Sequence, residues 1–535
     1  MKKLLKRWMA LVLALLMTAS LAACGAVEEG EVLRVCLGGA QETLDPIRTE
    51  TDDNATILYH LYENLLRQQS EGAGAVTLVN GVASGYTETD NFDGTITYTF
   101  TIAPTAKWSD GQAVTAEDFV YSWQRLLLSE TENREVLAMI EGYDAALESG
   151  EAEKLAVRAT EDGALEVTTS YHCPYFLTAV CAGAATMPVR RDVVEQAGET
   201  FGRTKASLVT NGAYVLENWE TAERLDLIRN PAADSARGPD RLQFFFEEDA
   251  EEAYVNFSSG MYDFISFLPD AAVEKLKQTE GWSATPSGMA EMILLGRSGA
   301  FADADVREAF ALAMDVDALA ACLRPADQLA TGLVPYGIRE SDGEDFRTVG
   351  GAVFDLQAAD YETRCEEAKN ILRKRDTYVS EVELIYVADE GRQEAVQMLH
   401  SSWQDRLGIR VRLTPLSEED MALRLEQNDY DMAWVTLRAS YADGAAFLET
   451  GTNGLTTALA AEEDEYTRLM SVLRGALDPL ARDNYLHAAE KMIFENWSVL
   501  PVTFLGISQE KAGEVRGIGY DGLGRYLFHA VRIGE

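Results

Sequence analysis

The side chains in this sequence that could do chemistry are scattered rather than grouped. Five histidines stand at His60, His172, His400, His487 and His529. There is no His-Glu-x-x-His pair to hold zinc from one helix face, no Gly-x-Ser-x-Gly nucleophile elbow and no Gly-x-x-x-x-Gly-Lys phosphate loop. His172-Cys173 with Cys181 is the segment richest in soft ligands. It lacks the paired spacing of a zinc site. Acidic pairs such as Asp52-Asp53 place two carboxylates side by side, as some hydrolases require. In a chain with 88 acidic residues such pairs arise without a catalytic role. These features point away from an enzyme and call for no metal and no cofactor.

The chain has 535 residues, with 46 basic against 88 acidic side chains and a net charge of −42. Nucleic-acid binding needs clustered Lys and Arg, and docking on an anionic membrane needs a basic patch; neither fits this balance. With 47% hydrophobic and 25% charged residues, the composition is that of a globular protein with ample core.

The first residues have the layout of a secretory signal. Lys2, Lys3, Lys6 and Arg7 are followed by an apolar run from Trp8 to Met17, too short to span a bilayer. Leu21-Ala22-Ala23-Cys24-Gly25 then matches a bacterial lipobox. That match implies cleavage before Cys24, a diacylglycerol thioether on its sulfur, and a tether over residues 24–30. Five cysteines remain, Cys36, Cys173, Cys181, Cys322 and Cys365. An odd number cannot all pair within one chain. A Cys173–Cys181 bridge stays open, with buried free thiols expected for most.

Strand and helix signals alternate along the mature chain. Val32–Leu37, Thr95–Ile102, Leu165–Thr169, Leu225–Arg229, Leu242–Phe246, Phe264–Ile265, Glu383–Val387 and Ile409–Leu413 read as strands. Thr56–Arg67, Ala116–Leu128, Arg191–Ala197, Asp249–Ser258, Ala304–Met314, Val316–Cys322 and Gly391–Leu407 read as helices. Such alternation implies an α/β architecture with parallel sheets.

Several segments in order resemble the solute-binding proteins of bacterial peptide-type ABC importers (extracellular solute-binding family 5). The strongest runs from Tyr98-Thr99-Phe100-Thr101-Ile102 through Trp108-Ser109-Asp110-Gly111 to Glu117-Asp118-Phe119-Val120-Tyr121-Ser122-Trp123. Leu44-Asp45-Pro46, Tyr62-Glu63-Asn64-Leu65, Thr210-Asn211-Gly212-Ala213-Tyr214, Asp305-Val306-Arg307 and Tyr430-Asp431 support it. The resemblance implies a two-lobed periplasmic-binding-protein-like fold (class II) with an extra inserted domain. Lobe I would comprise residues 31–75, 205–295 and 503–535, the inserted domain 76–204, and lobe II 296–502. Hinge crossings fall near Met292–Leu295 and Pro501–Phe504. The implied role is capture of oligopeptides between the lobes and delivery to permease and ATPase subunits. The protein would be a monomer, exported and lipid-anchored to the outer face of the cytoplasmic membrane.

The resemblance also implies site residues. In the family an Asp before a Tyr takes the peptide ammonium. Here Ser440 precedes Tyr441, and Leu437 stands where an aromatic is expected. Asp443 is the nearest carboxylate, with capping of a turn as its alternative role. Arg438 could meet a ligand carboxylate through its planar fork or make a surface ion pair. Trp434 completes the candidate set. The departure at Ser440 keeps other solutes open: a dipeptide, an oligosaccharide, a nickel chelate or a peptide signal. Trp108, Asp110-Gly111 and Trp123 are expected in structural roles, as is His172-Cys173-Pro174-Tyr175-Phe176, where the family has a loop.

Overall fold

The computed structural model describes residues 31–534 except 50, 73–74, 221, 234–237, 280–281, 283, 357–359, 376–377 and 449–462. The signal, Cys24 and the tether therefore lie outside the described residues.

Two six-stranded sheets organise the chain. In the first, Val32–Leu37 is central and parallel to both Arg241–Phe246 and Phe264–Ile265. Arg224–Arg229 and Tyr214–Glu220 extend one side antiparallel, and Glu510–Lys511 closes the other. In the second, Thr285–Leu295 lies antiparallel between Val499–Ile507 and Met432–Arg438. Glu381–Val387 and Arg410–Leu416 continue it in parallel, and Gln328–Leu329 forms the far edge. A separate antiparallel sheet joins Ala83–Asp90, Ile96–Ile102, Leu165–Thr169 and Val157–Ala159. The class is α/β, but the expectation of parallel sheets needs correction: both large sheets are mixed. In the first sheet the antiparallel pairs are consecutive strands joined by short connections, Tyr214–Glu220, Arg224–Arg229 and Arg241–Phe246. In the second the central Thr285–Leu295 pairs antiparallel with segments far along the chain, whereas Glu381–Val387 pairs in parallel with the strand that follows its helix.

The helix expected over Thr56–Arg67 is also displaced. It runs Asp52–Leu61, and Leu66–Gly72 is a strand. Thr51 caps the helix by accepting from the Asn54 N–H at 3.1 Å, and Asp52 and Asp53 sit in its first turn, where the helix dipole favours anions. Tyr62 is extended and ends it. Beyond, the Asn64 amide donates to the carbonyls of Val180 (3.1 Å) and Gly183 (2.9 Å), drawing the chain onto the inserted segment.

The signature residues are indeed structural. Trp108 is fully buried and its indole N–H donates to Asp118 at 3.3 Å. Asp118 also closes the capping box with Thr115 that starts the helix Ala116–Leu127. Trp123 donates to the Thr186 carbonyl at 2.8 Å. Arg125, two residues further on, grips both oxygens of Asp45 at 2.8 and 2.5 Å. The Leu44-Asp45-Pro46 motif therefore docks the inserted segment to the first sheet. Near the second sheet, Arg347 and Glu490 form a fully buried two-bond pair at 2.7 and 2.8 Å. Glu490 also accepts the N–H groups of Leu333 and Val334. The five described cysteines are free thiols, so Cys173 and Cys181 are not bridged.

Candidate functional site: a cleft between the sheets

Thr285–Leu295 and Val499–Ile507 belong to the second sheet along their length, and their Thr285–Ser287 and Leu505–Ile507 ends approach the first sheet. A cavity of about 1180 Å³ opens there. Thr51, Asp52, Asp53, Phe267 and Asp270 line it from the first-sheet side; Ser287, Met289, Arg324 and Leu505 line it from the second. Two further cavities adjoin it. One of about 680 Å³ is lined by Tyr59, Arg339, Ser440, Tyr441, Asp521 and Arg525 among others. Another of about 540 Å³ is lined by Glu291, Arg324, Asp389, Arg392 and Trp434.

Charges bridge the cleft. Asp52 accepts from Arg438 at 2.6 Å and from Arg525 at 3.1 Å. Arg438 ends a strand of the second sheet, so the bridge joins the two sides. Asp521 receives the N–H groups of Leu523 and Arg525 at 2.9 and 3.0 Å. Its carboxyl is raised by burial, which the Arg525 cation partly offsets. Burial likewise pushes the Tyr59 hydroxyl up to about 12. Asp53 is held at 3.1 Å by the Gly38 N–H. Burial pushes its carboxyl up to about 6, and the anion of Asp52 adds to the rise against the pull of the Gly38 and Gly39 N–H groups.

The residues named from sequence fall in different places. Ser440 is exposed on the 680 Å³ cavity. Tyr441 lines the same cavity and stacks on Tyr175 of the inserted segment, centroids 4.5 Å apart and planes 6° from parallel. Asp443 is gripped by Arg482 through two bonds, 3.0 and 2.8 Å, and caps Ala445–Leu448 by accepting the Ala445 N–H. Arg482 also lies over the Tyr175 ring at 5.3 Å. Trp434 is buried, donates to Glu291 at 3.2 Å and has the Arg392 guanidinium 5.9 Å from its ring. Glu291 and Arg392 are themselves paired. Leu437 is buried, not a cleft aromatic. Sequence reasoning missed Asp52, Asp53, Arg525 and Tyr175. Asp52-Asp53 was visible as an acidic pair, but nothing in the pair says that it faces a cavity. Among the described residues no group of His, Cys, Asp and Glu is placed to hold a metal ion.

Two mixed sheets joined by two long strands, with cavities between them and a side domain touching both, define a two-lobed solute-binding protein. The chain belongs to the bacterial extracellular solute-binding proteins, family 5, whose model (described as the Middle region) matches residues 77–457. It is 28% identical over 515 residues, 92% of each chain, to the periplasmic oligopeptide-binding protein OppA of Escherichia coli. It is 26% identical to the dipeptide-binding protein DppE of Bacillus subtilis, covering 79% of this chain and 78% of that one. The crystal structure of Haemophilus influenzae OppA in complex with RPPGFSPFR superposes with a TM-score of 0.74 at 22% identity, covering 95% of this chain and 100% of that one.

Proposed function

We propose that this protein is the receptor subunit of an ABC importer, capturing peptides between its lobes and handing them to a membrane permease. The observation that carries this reading is the Asp52–Arg438–Arg525 bridge between cavities shared by the two sheets. Groups that pair with one another across a cleft can re-pair with the charged ends of a zwitterion. The strand ends offer main-chain groups, and the roughly 1180 Å³ chamber leaves room for varied side chains. Ligand binding then favours the closed arrangement by its differential affinity.

We place the hinge crossings at Thr285–Ser287 and Leu505–Ser508. These lie beyond Met292–Leu295 and Pro501–Phe504, which pair inside the second sheet. In this reading residues 31–75, 205–284 and 508–534 form lobe I, 76–204 the inserted domain, and 285–507 lobe II. Lipid on Cys24 would hold the receptor near its permease and raise the effective concentration of the encounter. Tyr441, Ser440 and Arg438 face the ligand, Trp434 supports the wall of a neighbouring chamber, and Asp443 orients Arg482 behind Tyr175.

Native mass spectrometry of the protein lacking residues 1–24, purified without refolding, tests the reading. A spread of added masses that fragment as short peptides is the expected result. A single non-peptide mass, or binding of a nickel chelate or sugar in its place, overturns peptide capture. Metabolic labelling with a fatty acid, lost in Cys24→Ser, tests the anchor.

A further inference from the structure

Resting on the peptide-binding reading, we propose that Asp53 receives the ligand's primary ammonium group. The position where the resemblance puts an amine-binding carboxylate holds Ser440. The neighbouring candidate, Asp443, is satisfied by both arms of Arg482 and by the Ala445 N–H. Asp52 is held by two guanidinium groups, and Asp521 sits beside Arg525 with two backbone donors. Asp53 differs from all three. It faces the 1180 Å³ cavity, makes no ion pair among the described residues, and keeps only backbone N–H partners.

A carboxylate enclosed in this way lacks the cation that normally offsets its lost hydration. Among the described residues, the cavity wall offers none of its own at close range. Asp52 precedes it on the same helix, and Asp270 lines the cavity with the same sign. Tyr526 and Cys36 pack nearby, and the Asp53 anion opposes ionisation of both. Arg324 is the cation on the opposite wall, where it is paired with Asp327. The ligand is therefore the partner that this corner is built to accept. The same ammonium chemistry can come from a peptide amino terminus or from a lysine side chain.

Binding of a cation beside Asp53 draws its carboxyl down from about 6, so complex formation near pH 6 releases the fraction of a proton still held there. Calorimetry at pH 6 in two buffers of different ionisation heat reads that release. The probes are three pools of mixed-sequence tetrapeptides: lysine-free with free amino termini, the same pool N-acetylated, and an N-acetylated pool containing lysine. Wild type is expected to bind the free-amine pool at least tenfold tighter than its acetylated form. It should release up to roughly half a proton per site. Asp53→Asn and Asp53→Ser should both lose the preference and the release while keeping weak binding and the native circular-dichroism spectrum. A lysine pool that matches the free-amine pool supports the same site with a side-chain ammonium. Equal binding of free and acetylated lysine-free pools with no proton release, or variants that keep both preference and release, overturns the proposal. Failure of wild type to bind any pool overturns the peptide reading itself.

Discussion

Tyr441 and Tyr175 lie flat against each other, ring centroids 4.5 Å apart and planes 6° from parallel. Tyr441 lies three residues beyond the end of the strand Met432–Arg438 of the second sheet, and Tyr175 comes from the inserted segment beside the small sheet. Arg482 lies over the Tyr175 ring, and Asp443 holds Arg482. A chain of four side chains thus fastens the inserted segment to the second sheet across the cleft.

Tyr441→Ala removes that stack, worth about 0.5–1.5 kcal/mol. Peptide affinity is expected to fall by about three- to tenfold. The radius of gyration of the ligand-free protein should rise in small-angle scattering. Tyr441→Phe, which keeps the ring, should restore both.

Arg438 is half exposed, so its pair with Asp52 adds little to stability. Arg438→Ala should change the unfolding free energy by less than about 1 kcal/mol in urea titration. Its effect should instead appear as a faster ligand off-rate in stopped-flow measurements, because the bridge lies between the two sides of the cleft.

The Asp443–Arg482 pair is mostly buried. Asp443→Ala strands a guanidinium away from water and should cost about 3–5 kcal/mol. The double variant Asp443→Ala with Arg482→Met removes both charges and is expected to recover most of that loss in denaturant unfolding.

His60 is fully buried, with Nδ1 donating to the Thr56 carbonyl at 2.7 Å and Nε2 accepting the Phe528 N–H at 3.0 Å. His529 stacks on it at 4.5 Å. Burial lowers the His60 imidazole to about 4. The unfolded chain binds the proton more tightly, so this contribution is complete above about pH 6.5 and is lost as pH falls toward 4. Unfolding at pH 5 should show a loss of about 2 kcal/mol from this group.

Asp53 works in the opposite sense. Its folded carboxyl, at about 6, lies above the unfolded value, so its ionisation near pH 7 destabilises the fold. Asp53→Asn should raise the stability of the ligand-free protein at pH 8 by about 1–3 kcal/mol. That gain should fade as pH drops through 4 and vanish by about pH 3, where Asp53 is protonated in both folded and unfolded states. Thermal unfolding at the two pH values checks the sign.

Much of the framework was written locally. The hairpin at Asp93-Gly94, the capping box of Thr115 and Asp118, and the Gly408 stop were legible because turn and cap chemistry depends on neighbours a few residues away. Family membership was legible because the run from Tyr98 to Trp123 encodes that same local structure in a distinctive order. The start of the helix at Asp52 was missed, since apolar spacing drew the boundary toward Thr56 while Thr51 was the cap. The mixed direction of the sheets and the joining strands depended on pairings between segments hundreds of residues apart, such as Leu37 with Phe246 or Ile293 with Leu500.

The charges of the site belong to that second kind of information. The chain could show that Ser440 lacks a carboxylate and that Asp443 and Asp52-Asp53 were available. It could not show that Asp443 meets Arg482, that Asp52 meets Arg438 and Arg525, or that Asp53 meets no cation among the described residues. Composition and short-range pattern determine which elements form and what the chain resembles. Which carboxylate remains for a ligand is decided only when folding brings each one to, or keeps it from, a distant guanidinium, because Coulombic pairing depends on distance in space and not on separation along the chain.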